Sequence, residues 1–243
     1  ARVSEAELWR RAGIVAGAVV ADVGCGPAAF SIVLAKVVGS AGRVIGVERD
    51  EAALVVARQL VAQAGLGHVE LRAGTAAETG IPEGSVDVAV MRHVLAHNGR
   101  EEQRIVDHLA RLLRPGGCVY LVDIDGSAIR MLDADPELAD LPDKYAELHR
   151  RHGNDLQPGL RLGQLLTRAG LDLVLHEGRY DILPAPPGIR PAAWAARETM
   201  LSEGVASADD VRRWDAALGR MDARDTRPTL FVPNFVAVGA CRQ

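Results

Sequence analysis

Val20-Ala21-Asp22-Val23-Gly24-Cys25-Gly26-Pro27 is the stretch that decides the fold. Apolar, β-branched residues from Ala18 to Val23 suit a short buried strand, and the run stops at two glycines one residue apart. From Phe30 to Val38 the pattern turns helical, with Phe30, Val33, Leu34 and Val37 on one predicted face. A glycine turn between a strand and a helix lets the backbone bend sharply and lets a ligand approach with no Cβ in the way. In open α/β sheets that place, the carboxyl end of a strand, is where ligands bind. A Gly-x-Gly pair also serves as a plain tight turn, so the flanking sequence has to settle the matter.

Outward from this turn the same unit repeats. Arg43 to Glu48 is a second predicted strand, followed by a helix from Glu51 to about Ala64, and His68 to Arg72 is a third strand. Ser85 to Met91 is a fourth; the helix from Glu101 to Leu113 carries Ile105, Leu109, Leu112 and Leu113 as its apolar stripe. Pro115-Gly116-Gly117 breaks that helix, and Cys118 to Asp123 is a fifth strand. Before the first strand, Ser4 to Ala12 reads as a short helix with Ser4 and Glu7 as a capping box. Strands alternating with helices imply a parallel, doubly wound sheet covered on both faces.

The second half is less regular. Pro136 to Arg151 looks helical with an interruption at Pro142, and Leu160 to Ala169 is a helix closed by Gly170. Leu171 to Leu183 and Leu230 to Ala240 are strand-like, and Pro191 to Asp222 is mostly helical. No internal repeat or low-complexity linker is evident. The organisation expected is one domain over residues 1–243: a cofactor-binding half, 1–125, and a substrate-side half, 126–243, with a helical insertion at about 191–222.

Composition narrows the function. With 28 Lys and Arg against 32 Asp and Glu, the net charge is −4, which disfavours a general nucleic-acid binder. Cys25, Cys118 and Cys241 are too scattered for a disulfide framework or a zinc site. No apolar run approaches the ~20 residues of a membrane span, and Ala1 to Glu5 has no signal-like apolar core. A cytoplasmic setting, a small-molecule partner, no nucleic acid, no membrane, no metal and a homodimer are the expectations.

The second strand ends at Glu48, 48 − 22 = 26 positions after Asp22, where a carboxylate can accept the hydroxyls of an adenosine ribose. That logic serves a dinucleotide and S-adenosylmethionine equally. Here the string from Val20 to Pro27 resembles the first motif of class I S-adenosylmethionine-dependent methyltransferases, and Val44-Ile45-Gly46-Val47-Glu48-Arg49 resembles their second. Ala73-Gly74-Thr75-Ala76-Ala77-Glu78 is similar to the segment that brackets adenine. Gly84 to Met91 followed by His93-Val94-Leu95-Ala96-His97 resembles their fourth-strand motif, and Leu112-Leu113-Arg114-Pro115-Gly116-Gly117 their Pro-Gly-Gly turn. Together these cover roughly residues 15 to 125, and the nearest likeness is to the branch acting on quinones and natural products.

The resemblance implies a seven-stranded sheet with an antiparallel last strand, and the late helical region is read as a lid or insertion on it. It implies S-adenosyl-L-methionine as cofactor, with S-adenosyl-L-homocysteine as product. Asp22 and the backbone of Gly24, Cys25 and Gly26 would hold its methionine end, Glu48 its ribose, and Arg49, Gly74, Thr75 and Ala76 its adenine. Arg92 and His93 would stand beside the sulfonium. Two residues depart from the family pattern: Ala28 replaces a third glycine, and Thr75 stands where Asp is frequent.

Catalytic candidates are His93, His97 and Asp123. His93 is the first choice as a general base for a hydroxyl acceptor, because imidazole titrates near neutral pH. His97 would share its face at i, i+4 on a helix, or serve structurally. Asp123 and Asp125 follow the fifth strand and either orient substrate or cap a loop. Cys25 reads as packing and Cys118 as core. His149, His152, Asn154 and Asp155 form a polar cluster that contacts substrate or lies on a surface loop; Trp194, Met200, Trp214 and Met221 line a lid or fill a core. Two rival functions share the fold signals. A nicotinamide (NAD(P))-dependent oxidoreductase explains the glycine turn and Glu48 but not the Pro-Gly-Gly turn, and none of Tyr120, Tyr145 and Tyr180 has a Lys four residues on. A methyltransferase fold repurposed to bind cofactor without transfer is the other. The Asn/Asp-Pro-Pro-Tyr/Phe signature of DNA-base methylation is absent from the sequence.

Overall fold

The computed structural model describes residues 5–185, 187, 188 and 190–241. Helix α1 (Glu5–Arg11) precedes a parallel run of strands and helices: β1 (Val19–Val23), α2 (Ala29–Val38), β2 (Arg43–Glu48), α3 (Glu51–Gln63), β3 (Val69–Ala73), β4 (Val86–Arg92), α4 (Glu102–Leu112) and β5 (Leu113–Ile124). There follow β6 (Arg130–Leu132), α5 (Leu141–Arg151), α6 (Leu162–Arg168), β7 (Asp172–Pro184), α7 (Ala192–Ala195), α8 (Arg197–Ser202), α9 (Ala208–Asp222) and β8 (Thr229–Ala240). The Ser4 half of the expected capping box lies outside the described residues.

The sheet runs β3-β2-β1-β4-β5-β8-β6, with β7 on the far side of β8. Strands β1 to β5 pair in parallel; β8 is antiparallel to β5, β6 and β7. Seven strands therefore follow the expected plan, and an eighth, the three-residue β6, extends the sheet where β5 ends. The central strands β1, β2 and β4 read as nearly continuous buried runs, as a sheet covered on both faces requires, while the edge strand β3 is half-buried. One core cluster packs α4 and α6 on one face, through residues such as Ile105, Leu109 and Leu166. A second packs α1 and α2 on the other, through Leu8, Leu34 and Val38.

Three local expectations change. Helix α2 buries Ser31, Leu34, Ala35 and Val38; of the expected Phe30/Val33/Leu34/Val37 face, Leu34 is buried, Phe30 and Val37 pack half-buried against the same core, and Val33 is exposed. The small Ser31 and Ala35 let the helix lie close to the sheet. Pro142 begins α5 rather than interrupting a longer helix, as suits a residue lacking an N–H at a first-turn position. Pro115-Gly116-Gly117 ends α4 as expected, yet the chain stays extended through it. Pairing of β5 with β4 slips there between Val86 and Val88, and Gly116 takes φ +78°.

Helices α5, α7, α8 and α9 build their own core. Trp194, Met200, Trp214 and Met221 are all buried in it, with Leu141 and Leu148 of α5. The helical unit thus includes residues well before 191–222. Trp214 Nε1 donates to Asp140 at 2.9 Å, and Arg213 donates to the same carboxylate at 2.7 Å. These four residues form a core, not the lining of a lid. No helix among the described residues is long and apolar enough to cross a membrane.

Candidate functional site

Register decides what meets at the sheet's carboxyl edge. Val23 lies opposite both Val47 and Met91, and Glu48 opposite Ala73. Strands β1, β2, β3 and β4 thus end level, and the residues just beyond them come together: Gly24, Glu48, Gly74 and His93. The order of the sheet reverses between β1 and β4, the topological position where α/β sheets open a crevice. A cleft of about 210 Å³ opens there, lined by Gly24, Val47, Glu48, Arg49, Gly74, Ala76, His93, Val94, His97 and Asn98.

The glycine turn is tied down at both ends. The N–H groups of Gly24 and Cys25 donate to the Val47 carbonyl at 2.8 and 3.1 Å. Gly26 N–H donates to Glu48 Oε2 at 2.9 Å. Glu48 Oε1 accepts from the N–H groups of Arg49 and Asp50 at 2.8 and 3.0 Å. A carboxylate has about four lone-pair sites; three are used, and one is left for a ligand. Gly24 has φ +77°, and a Cβ there would meet Val94 Cγ2 at 2.4 Å; at Gly26, φ +53°, a Cβ would project into open space. The turn therefore forms a cradle floored by bare backbone, and with the adjacent acceptor carboxylate it fits an adenosyl cofactor.

Ala28 carries a cost that its sequence position hides. It caps α2 in the left-handed region at φ +62°, a conformation that costs a residue with a Cβ roughly 1 kcal/mol. Ala28→Gly relieves that strain but removes a methyl fully buried against Ala57 and Val61. The two effects should nearly offset, so stability should change by less than about 0.5 kcal/mol, read from the unfolding midpoint.

Asp22 lies beneath the cleft rather than in its lining. It is 2% exposed and accepts from Ser31 Oγ at 2.5 Å. Burial pushes its carboxyl up to about 6, with Ser31 and the Arg92 charge opposing and Glu48 adding. Because the folded value exceeds the unfolded one, this stability is complete below about pH 4 and is lost as pH rises through about 6. Asp22→Asn keeps an acceptor for Ser31 and should add about 1–2 kcal/mol at pH 7 and nothing at pH 4. Urea unfolding at the two pH values reads the difference.

Other expected site residues are directed elsewhere. Arg92 reaches over the Phe30 ring at 5.2 Å and pairs with Glu5 at 3.7 Å, so it fastens α1 and α2. Cys25 is buried, and desolvation with the nearby Asp22 and Glu48 charges pushes its thiol up to about 12, which leaves it a packing residue. Thr75 is exposed and exchanges backbone hydrogen bonds with Glu78, leaving Ala76 to face the cleft. Asp125 caps its loop by accepting from Ser127 N–H and Oγ.

Asp123 also departs from its catalytic reading. It is 1% exposed and accepts from Leu95 N–H at 3.1 Å and Ile124 N–H at 2.9 Å. Burial pushes it up to about 6, against these backbone donors. Its place is under the 3₁₀ turn Leu95–His97, which it anchors. His93 and His97 do not share a helix. His93 sits just past β4 with φ +55°, and the short turn brings His97 back to the same cleft. Burial lowers both imidazoles, His93 to about 4 with Arg92 and His97 contributing, and His97 with Arg49 contributing. Both are neutral at neutral pH.

The polar cluster after α5 is divided. His152 is held by Glu203 at 2.8 Å, and Asp155 pairs with Arg161. Asn154 Oδ1 accepts from Gly99 N–H at 3.0 Å, and a Cβ at Gly99 would strike the Gly153 carbonyl, so this contact docks α5 beside the cleft. His149 stands behind His97. Val47, Val94 and Asn98 were not expected in the cleft; the first two lie inside quoted motifs and Asn98 directly follows one, and only the level ends of the strands reveal them. Among the described residues no cluster of three or more His, Cys, Asp or Glu could hold a metal ion.

Residues 20–117 match the methyltransferase domain family. A demethylmenaquinone methyltransferase of Listeria monocytogenes is 36% identical over 107 residues, which are 44% of this chain and 45% of that relative. The chain thus matches about half the length of such relatives. A SAM-dependent methyltransferase from Aquifex aeolicus superposes with a TM-score of 0.54 at 21% identity, over 70% of this chain and 81% of that one. A SAM-dependent methyltransferase structure from Methanosarcina mazei gives 0.56 at 18% identity, over 93% and 92%. At these identities the structures speak to the fold. Residues 20–117 thus match a methyltransferase domain, on a chain that shares the fold of these methyltransferase structures.

Proposed function

We propose that the chain transfers a methyl group from S-adenosylmethionine to a small-molecule acceptor. One observation carries the reading: the Gly24 cradle, the Glu48 carboxylate and the two neutral imidazoles of His93 and His97 line a single cleft. When bound, S-adenosylmethionine supplies a methyl group on a positively charged sulfur. Backbone at Gly24 and Gly26 leaves room for its methionine end, Glu48 accepts from its ribose, and Gly74 and Ala76 flank its adenine. His93 and His97 lie on the acceptor side, where a neutral imidazole can take the proton of a hydroxyl. The protein's contribution is orientation and proton removal; the reactive group is the cofactor's.

The acidic balance supports a small molecule over a nucleic acid. The Listeria relative acts on demethylmenaquinone by its name, and this makes a quinol the first acceptor to try. The test is calorimetric titration with S-adenosylhomocysteine, with NAD in a parallel cell. Micromolar binding of the first and none of the second is expected. Binding of NAD alone would overturn the reading, and binding followed by no transfer to any quinol, phenol or amine acceptor would reassign the fold to cofactor binding.

A further inference from the structure

Behind His97 stands a second imidazole that the reaction above does not use. The His149 ring centroid is 5.4 Å from that of His97, with planes tilted 49°. Tyr145, one turn earlier on α5, meets His149 edge-on at 4.4 Å. His149 is 6% exposed, and its Nδ1 has no hydrogen-bond partner. Such orphaned buried groups are rare. Burial drives the His149 ring down to about 4, with the His97 and His152 charges adding and the Ala96 backbone opposing. The ring is therefore neutral, and a neutral imidazole has one nitrogen that accepts. At this centroid separation, one nitrogen from each ring turned along the line between the rings would stand at about 3 Å.

We propose that His149 is a positioning residue for proton removal: His97 takes the acceptor's proton, and the imidazolium so formed donates to Nδ1 of His149. The inference rests on the methyl-transfer reading with a hydroxyl acceptor. The acceptor's O–H bond breaks, its electron pair stays on oxygen, and the proton resides on His97. The groups facing the pair are Arg49 and His93 beside His97, and Tyr145 and His152 on α5. Arg49 and His93 oppose a charge on His97, and His152 is engaged by Glu203. His149 holds the unpaired buried acceptor, and this selects His97 over His93, which has no second ring behind it among the described contacts.

The experiment is an NMR titration of the histidine rings in protein saturated with S-adenosylhomocysteine, for wild type, His149→Phe and His149→Asn. Phe fills the space without an acceptor, and Asn places an oxygen near the position of Nδ1. A hydrogen bond to the charged form raises proton affinity. The proton affinity of His97 should fall about tenfold in His149→Phe and return to within about threefold of wild type in His149→Asn. An unchanged His97 midpoint in His149→Phe overturns the coupling. A fall that Asn does not rescue assigns the effect to packing and overturns it too. Loss of S-adenosylhomocysteine binding in all three proteins sinks the methyl-transfer reading instead, and the same titration without ligand still tests the pair.

Discussion

Gly24→Ala should abolish measurable S-adenosylhomocysteine binding, a loss of at least about 100-fold, or roughly 2.7 kcal/mol. Two costs act together. The residue sits at φ +77°, where a side chain is strained. The added methyl also meets Val94 Cγ2 at 2.4 Å and Cγ1 at 3.3 Å. Val94 lies between His93 and the turn that carries His97, so relief of the clash moves the acceptor-side wall away from the cradle. A binding loss larger than the stability loss is the signature. Gly26→Ala is the control: its φ of +53° brings strain, but the new methyl meets no protein atom within 4 Å. It should unfold closer to wild type and still weaken binding, because its methyl enters the space the ligand needs. Calorimetry and thermal unfolding on both variants decide the matter. Binding by Gly24→Ala within threefold of wild type would show that this turn is not the cradle.

The parts of this molecule written in short segments were legible in its sequence. Strand β1, the glycine turn and α2 are adjacent in the chain, so local pattern alone placed Gly24 and Gly26. Glu48 was legible because a parallel strand repeats the geometry of its neighbour and ends level with it. What escaped depends on long-range packing. Arg92 follows a strand that ends at the cleft, yet Phe30 and Glu5, more than 60 positions away, draw its guanidinium aside. Asp123 has the burial and the location of a catalytic carboxylate, but its lone pairs are turned to the N–H groups of Leu95 and Ile124. Ala28 is a small residue by sequence; its left-handed backbone is visible only in three dimensions. The partnership of His149 with His97 crosses 52 positions, from residue 97 to 149, and depends on the tight Gly99–Gly153 contact that docks α5. Side-chain direction, not element type, is what pattern reading lacked.

Glu48→Ala should weaken S-adenosylhomocysteine binding by roughly 10- to 150-fold, because hydrogen bonds to a charged group contribute about 1.5–3 kcal/mol. The carboxylate has two tasks in the structure. It fastens the glycine turn to the end of β2 through Gly26, Arg49 and Asp50, and it keeps one acceptor site for the ligand. Loss of binding alone therefore does not separate a ribose contact from a loosened turn. Glu48→Gln does not separate them either, since its amide N–H would face the N–H of Gly26 or those of Arg49 and Asp50. The ligand can be cut instead of the protein. In wild type, an S-adenosylhomocysteine analogue lacking the ribose 2′-hydroxyl or the 3′-hydroxyl should bind about 10-fold more weakly than the parent. In Glu48→Ala the same deletion should cost almost nothing, because its partner is already gone. That non-additivity is the coupling energy of the carboxylate with the hydroxyl. Equal penalties in the two proteins, for both analogues, would remove Glu48 from the ribose and leave it only as the fastening of the turn.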